Sequence, residues 1–243
     1  MKINRAKADL LTMALLIVIM LLVGVFTLTK KTMGTANSLQ EELVVEIKQG
    51  ATIRSLVKQL KQHDLISQPM FLILWTRLNG DAKRLQVGEY VVRPGATLSD
   101  LMNDITSGRV RQYSLKLLEG WTFKEFMSAI ESHPAISHEL NNLSQKEILE
   151  RLEIDYEHPE GLFFPETYNI HKNISDVNVL KRAHEHMKKH LHRLWEERDQ
   201  ALPFESPYEA LILASIVEKE SAVEDERALI AGAFVNRLRK NMR

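Results

Sequence analysis

From Leu10 to Leu28 the chain reads LLTMALLIVIMLLVGVFTL, 19 residues without a charge. As a helix rising 1.5 Å per residue the run is about 28 Å long, close to the hydrocarbon thickness of a bilayer. A cleaved leader has a shorter apolar stretch that ends in a small-x-small site. Here Leu28-Thr29-Lys30-Lys31 comes next instead. The expectation is a retained single span over residues 10–29. Lys2, Arg5 and Lys7 precede it, and Lys30 and Lys31 come after it. That small excess of positive charge in front predicts a cytoplasmic segment at 1–9, with everything beyond the span on the outer side.

Residues beyond the span have to fold in water, and the composition allows it. Of 243 residues, 44% are hydrophobic and 26% charged, which is ordinary for a globular chain and excludes wholesale disorder. Lys plus Arg equals Asp plus Glu at 32 each, so the basic excess of a nucleic-acid binder is missing. There is no cysteine, which excludes a disulfide framework, thiolate metal sites and a cysteine nucleophile.

Residues 30–42 (KKTMGTANSLQEE) are polar, small and aperiodic, and read as a tether. Three stretches then share the pattern Gly-x-Thr-apolar-x-x-apolar: Gly50-Ala51-Thr52-Ile53, Gly95-Ala96-Thr97-Leu98 and Gly120-Trp121-Thr122-Phe123. Each comes after an extended apolar run, at Leu43–Ile47, Gly88–Val92 and Tyr113–Leu117. Strand, glycine turn and a threonine that caps the next helix is the physical reading. Glu125 and Asp100, three residues past Thr122 and Thr97, complete capping boxes. Three such units argue for an α+β assembly. The first also resembles the opening of a LysM-type glycan-binding module.

Between Ser132 and Asp155 the chain is polar and helical in character. Glu160-Gly161-Leu162-Phe163-Phe164-Pro165-Glu166-Thr167-Tyr168 cannot be regular helix, because Pro165 stops one. It reads as a rigid loop or strand end whose rings either pack a core or line a sugar site. A long helix is expected over Ser175–Gln200, with Val179, Leu180, Ala183, Met187 and Leu191 at helical spacing. His184, His186, His190 and His192 alternate along it with lysines and arginines, as on a solvated basic face. His186 and His190 stand at i, i+4, but residue 188 is lysine and no H-E-x-x-H pattern exists, so no metal is expected.

The chemistry is expected in the segment from Tyr208 to Arg243. On an ideal helix Ile212, Leu213, Ile216 and Val217 form one apolar stripe, Glu220 falls on that stripe and Glu218 on the opposite face. If the stripe faces the core, Glu218 is solvated and Glu220 is carried inward. A carboxyl group held there is costly to ionise and keeps its proton, as a general acid must. The alternative is that the helix ends near Ser221, or that Glu220 forms an internal ion pair with Arg227 or Arg237.

The single anchor, the LysM-like front, EGLFFPETY and LASIVEKESA…ERALIAGAFVNRL together resemble the YceG/MltG-like family of endolytic murein transglycosylases, in order and spacing along essentially the whole chain. The resemblance implies an α+β protein with one N-terminal transmembrane helix, a LysM-like α/β subdomain with accessory β-turn-α units at 43–130, and a mainly helical lysozyme-like catalytic region at 131–243. It places the family's catalytic glutamate on Glu220, with Ser221, Glu166, Tyr168 and Asn236 as substrate-groove residues. It implies a lyase that cleaves the β-1,4 bond between N-acetylmuramic acid and N-acetylglucosamine of nascent glycan strands, leaving 1,6-anhydro ends. Neither metal nor cofactor is required. The implied location is the inner membrane, with the bulk of the chain outside the cytoplasm and peptidoglycan synthases as candidate partners.

The family continues past the position of Arg243 for about 100 residues, including a Q-T-D-P-T-like stretch, so the catalytic region is expected to be incomplete. Two other readings stay open. One is a non-catalytic envelope protein that binds glycan or scaffolds partners. The other is a muramidase that uses water and leaves reducing ends.

Overall fold

The computed structural model describes residues 2–221 and 223–242, with side chains from Asp9 onward. The chain is α+β, mostly helical with three two-stranded sheets among the described residues, and divides into compact units at Met1–Arg111 and Gln112–Arg243. That boundary precedes the third β-turn-α unit, which folds with the second half instead of with the first two.

In the first unit α1 runs Lys2–Gly34. Its stretch from Asp9 to Gly34 is long and apolar enough to cross a membrane, and none of the apolar window is buried. The helix does not stop at Lys30. Thr29 and Met33 are 2% and 1% exposed, and Met33 belongs to the core of the unit. Beyond it, the Asn37 side chain donates to the carbonyls of Arg93 and Ala96 and accepts from the Gly95 amide. The expected tether is therefore corrected. Its first residues are helix, and the next ones are stapled to the fold by a side chain that local composition gave no reason to single out.

The rest of this unit is β1 (Leu43–Ile47), α2 (Ile53–Gln62), α3 (Pro69–Leu78), β2 (Gly88–Val92) and α4 (Leu98–Ser107), with a single 3₁₀ turn at Asp81–Lys83. β1 and β2 pair antiparallel, with Val45 opposite Tyr90. Leu60, Leu72, Tyr90 and Ile105 are sealed at the centre. The Tyr90 hydroxyl donates to the Gln86 carbonyl, so the ring is buried without orphaning its polar end.

The second unit contains β3 (Tyr113–Lys116), α5 (Phe123–Glu131), β4 (Ile136–Ser137), α6 (Gln145–Leu152), β5 (Thr167–Ile170), β6 (Ile174–Ser175), α7 (Asp176–Glu196), α8 (Pro207–Glu220) and α9 (Glu224–Arg239). β3 pairs antiparallel with β5, and β4 pairs parallel with β6. Ile130, Leu140, Leu149, Tyr168 and Leu180 form the heart of its core.

All three glycine–threonine junctions take the expected form. Gly50, Gly95 and Gly120 hold φ near +75°, a region open to glycine, and Thr52, Thr97 and Thr122 cap α2, α4 and α5. The first box is closed by Ser55, and Ser144 with Glu147 makes a fourth on α6.

In three of these boxes a carboxylate accepts from the cap residue's amide and hydroxyl. For Asp100 and Glu125 the amide bond is the larger cause, for Glu147 the Ser144 hydroxyl, and each carboxyl is held below its usual value of 3.8 or 4.5. A folded pKa below the unfolded one stabilises fully above the unfolded value, and the benefit disappears as pH falls through the folded value. The triple variant Asp100→Asn, Glu125→Gln, Glu147→Gln should melt below the parent at neutral pH. That gap should narrow as pH is lowered past the ordinary carboxylate range. A constant gap in a pH series of thermal melts would refute the cause.

Candidate active site

Ser206 accepts from the Glu209 amide and caps α8, with Pro207 in the first turn, where its missing N–H costs nothing. Ser221 ends the helix in extended conformation; its hydroxyl donates to Glu226 at 2.9 Å and accepts from the Val223 amide. Glu224, Asp225 and Glu226 then open α9, where negative charge suits the helix N-terminus.

α8 is divided between two hollows, and of its apolar stripe only Val217 is buried. Tyr208, Leu211, Ile212, Ala214, Ser215, Glu218 and Lys219 line a cleft of about 560 Å³. Leu213 and Ile216 turn instead to a smaller hollow shared with Phe204, Phe234 and Leu238. The remaining walls of the large cleft come from the turn between β3 and α5 (Leu118–Phe123), from Glu160, Gly161, Phe163 and Pro165, and from Met187 of α7.

Few bonds are needed to join these walls. The Phe123 amide donates to the Glu160 carboxylate at 2.9 Å, Lys219 Nζ donates to the Gly120 carbonyl at 2.7 Å, and Phe123 stacks on Phe163 at 5.3 Å. Trp121 meets Phe126 edge-on at 6.2 Å. Aromatic walls with carboxylates at the rim suit the apolar faces and hydroxyls of a sugar chain.

Gly161 lets α8 approach this closely. It holds φ +76°, and a Cβ there would sit 3.2 Å from Leu211 Cδ2. Gly161→Ala should cost about 2 kcal/mol, chiefly from the left-handed backbone, with the Leu211 side chain giving way slightly. Chemical denaturation reads that loss, and an unchanged midpoint would contradict it.

Two expectations about the carboxylates are corrected. Glu220 is exposed, not carried inward, and Glu218 is half-buried at the cleft, not solvated. The ion pair considered for Glu220 is made by Glu218, whose Oε2 lies 3.1 Å from Arg227. The wheel assigned the faces correctly, but of the apolar stripe only Val217 is buried. Ile212 and Ile216 remain 47% and 39% exposed, so the stripe is open along part of its length.

The other anticipated groove residues do not line this cleft. Ser221 is buried in the α8–α9 turn, Asn236 is exposed on α9, and Glu166 accepts from His186 Nδ1 at 3.0 Å. Tyr168 is fully buried, and its hydroxyl donates to the Phe164 carbonyl at 2.7 Å. Burial, with Glu166 adding, pushes its phenol up to about 12.

The aromatic segment thus does both of the things left open for it. Leu162, Phe163 and Tyr168 fill the core, while Phe163 and Pro165 also wall the cleft. The histidines of α7 are corrected as well. His184 bonds the Leu162 carbonyl, His186 bonds Glu166 and His190 packs on Phe164, so three of the four serve the aromatic segment. Cleft residues missed in the sequence are Trp121, Glu160, Tyr208 and Lys219. Glu160 opens the aromatic segment already singled out, and Trp121 follows the Gly120 turn, but neither residue was itself marked as a cleft residue.

Comparison with known proteins shows the family of the chain. A Bacillus subtilis (strain 168) protein named endolytic murein transglycosylase is 22% identical, over 82% of this chain and 59% of its own length. A Streptococcus pneumoniae (strain D39) protein of the same name is 24% identical, over 85% of this chain and 42% of its own length. The chain therefore spans well under two thirds of these relatives. A solved yceG-like protein from Listeria monocytogenes is 20% identical, covers 84% of this chain and 73% of its own, and superposes with a TM-score of 0.42. The model of the YceG-like family matches residues 45–243. With four fifths of its length matched, the chain belongs to the YceG-like family.

Proposed function

We propose that the chain is the membrane-anchored part of a peptidoglycan lytic transglycosylase that carries the catalytic glutamate, Glu220. The supporting observation is that one cleft is walled by both family strings, Glu160–Pro165 and the α8 segment, in a chain whose named relatives are endolytic murein transglycosylases. Retention of the anchor is supported by Met33, because a leader destined for removal has no reason to contribute a side chain to the core. The N-terminus is read as cytoplasmic, and the folded units as lying outside the inner membrane. The two-strand, two-helix arrangement from β1 to β2 supports a LysM-like glycan-binding role there, and glycan synthases are the natural neighbours of an enzyme acting on nascent strands.

In the proposed reaction the Glu220 carboxyl donates its proton to the glycosidic oxygen. The bond from that oxygen to C1 of N-acetylmuramic acid breaks, and N-acetylglucosamine leaves with a free 4-hydroxyl. The carboxylate then removes the proton from the C6 hydroxyl of the same muramic ring, whose oxygen closes onto C1. Glu220 is reprotonated, a 1,6-anhydro ring forms and no water is consumed. Because the substrate supplies the nucleophile, the second carboxylate of ordinary glycosidases is unnecessary. Glu220 is exposed in the free chain, so any exclusion of water from it has to come from the bound glycan.

Digestion of purified sacculi by the membrane-reconstituted chain tests the reading. Anhydro-muropeptides identified by mass spectrometry support it. Reducing muramic ends would identify the hydrolytic alternative. Binding to sacculi without any product would favour a glycan-binding scaffold, which the exposure of Glu220 makes the leading second reading.

A further inference from the structure

α3 has its apolar residues on the wrong side for a helix facing water. Leu72 and Thr76 are sealed in the core at 0% exposure, yet the opposite face carries Met70, Leu74 and Leu78 at i, i+4, i+8. Met70 and Leu78 are 75% and 70% exposed, and Arg77 is the one charge in the helix. A surface helix ordinarily turns polar residues outward.

The position of α3 says what covers this face. It packs against α1, whose buried residues Thr29 and Met33 begin immediately after the uncharged run that ends at Leu28. A hydrocarbon layer of about 30 Å takes up roughly 20 residues of helix, so a span beginning at Leu10 leaves the lipid tails where the folded unit takes hold. α3 therefore sits at the depth of the headgroups. Exposed positive charge lies on the same elements: Lys30 and Lys31 follow the uncharged run, Arg77 is on α3, and Lys83 and Arg84 are in the turn after it, where Asp81 stands 4.0 Å from Arg84.

We propose that α3 is an interfacial helix, with its Met70–Leu74–Leu78 face in the acyl–headgroup boundary beside the span and the neighbouring basic residues on lipid phosphates. This rests on reading α1 as a membrane anchor. An amphipathic element of this kind buries its apolar face about 5–10 Å into the boundary. With α1 continuous into the core, two contacts would then fix the height and tilt of the first unit above the bilayer, where one flexible anchor would fix neither.

The chain has no cysteine, so single spin labels can be placed without background. The full chain is reconstituted in vesicles of phosphatidylethanolamine and phosphatidylglycerol, labelled in turn at Met70→Cys, Leu78→Cys, Ile17→Cys in the span and Lys48→Cys in the turn after β1. Met70 and Leu78 are exposed, so labelling leaves the core intact. Collisions with oxygen should rise, and those with a water-soluble nickel chelate fall several-fold, at Met70 and Leu78 relative to Lys48. Nickel access at Met70 and Leu78 equal to that at Lys48, with Ile17 still in lipid, would overturn the inference and spare the anchor. Nickel access at Ile17 would remove the anchor and the inference together. Shielding of Met70 and Leu78 from both reagents, or broadening between labels on two chains, would show a protein cover and overturn it as well.

Discussion

Glu220→Gln should abolish the formation of anhydro-muropeptides, by roughly 1,000-fold, while the protein stays folded and still sediments with sacculi. A positioned acid–base group contributes about 100- to 10,000-fold, and here one carboxyl is asked to act first as acid and then as base. Glutamine keeps the shape and one acceptor but cannot deliver the proton. Because Glu220 is exposed and ends α8, its loss should leave thermal melting unchanged.

The decisive comparison is Glu218→Gln. Glu218 lines the cleft and pairs with Arg227 at 3.1 Å, with both side chains more than a third exposed. Such a pair is worth at most about 1 kcal/mol, and glutamine still accepts a hydrogen bond from the guanidinium. Activity within tenfold of the parent is expected. If Glu218→Gln silenced the enzyme and Glu220→Gln did not, the catalytic role would move two residues along the helix to the carboxylate that already faces the cleft. Equal loss from both would end the assignment.

The largest stability effect is expected at Asp176. This carboxylate opens α7 and is completely buried. It accepts from the amides of Glu139 at 3.0 Å, Leu140 at 3.1 Å and Val177 at 2.8 Å, which ties the β4 end of the unit to the start of α7. The helix N-terminus favours its negative charge. Asp176→Ala leaves the buried Leu140 amide and the part-buried Glu139 and Val177 amides without this acceptor, the first at a desolvation cost of about 1–3 kcal/mol and the others at less, and empties a fully buried side-chain site. A net loss of about 4 kcal/mol is expected, a fall of roughly 15 °C in the melting temperature of a unit this size. Asp176→Asn keeps one acceptor oxygen and should lose less. If alanine melted within a few degrees of the parent, water would have to be satisfying those amides.

The helical spacing that anticipated α7 marked Val179, Leu180 and Ala183 but passed over Asp176, because its importance comes from amides some 36 residues away. The three β-turn-α junctions were legible for the opposite reason. A glycine at positive φ, a threonine hydroxyl and an acceptor three residues on complete their bonds within one short segment, whatever surrounds them. The same holds for the start of α7 at Ser175 and for the apolar run of α1.

Where an element meets another, sequence pattern was a poor guide. Nothing local announced that Asn37 would reach the turn before α4, or that the histidines of α7 would support Leu162, Phe164 and Glu166. On α8 the pattern misled, because periodicity shows that a helix has two faces without saying which one finds a partner. Gly161 admits Leu211, and Lys219 reaches the Gly120 carbonyl, so the face with Tyr208 and Glu218 lines the cleft, while of the apolar stripe only Val217 is buried. Local bonds close within a few residues and can be read from them. Burial is a property of surfaces meeting at long range, and only the folded chain decided which carboxylate of the Glu-Lys-Glu sequence would face the cleft.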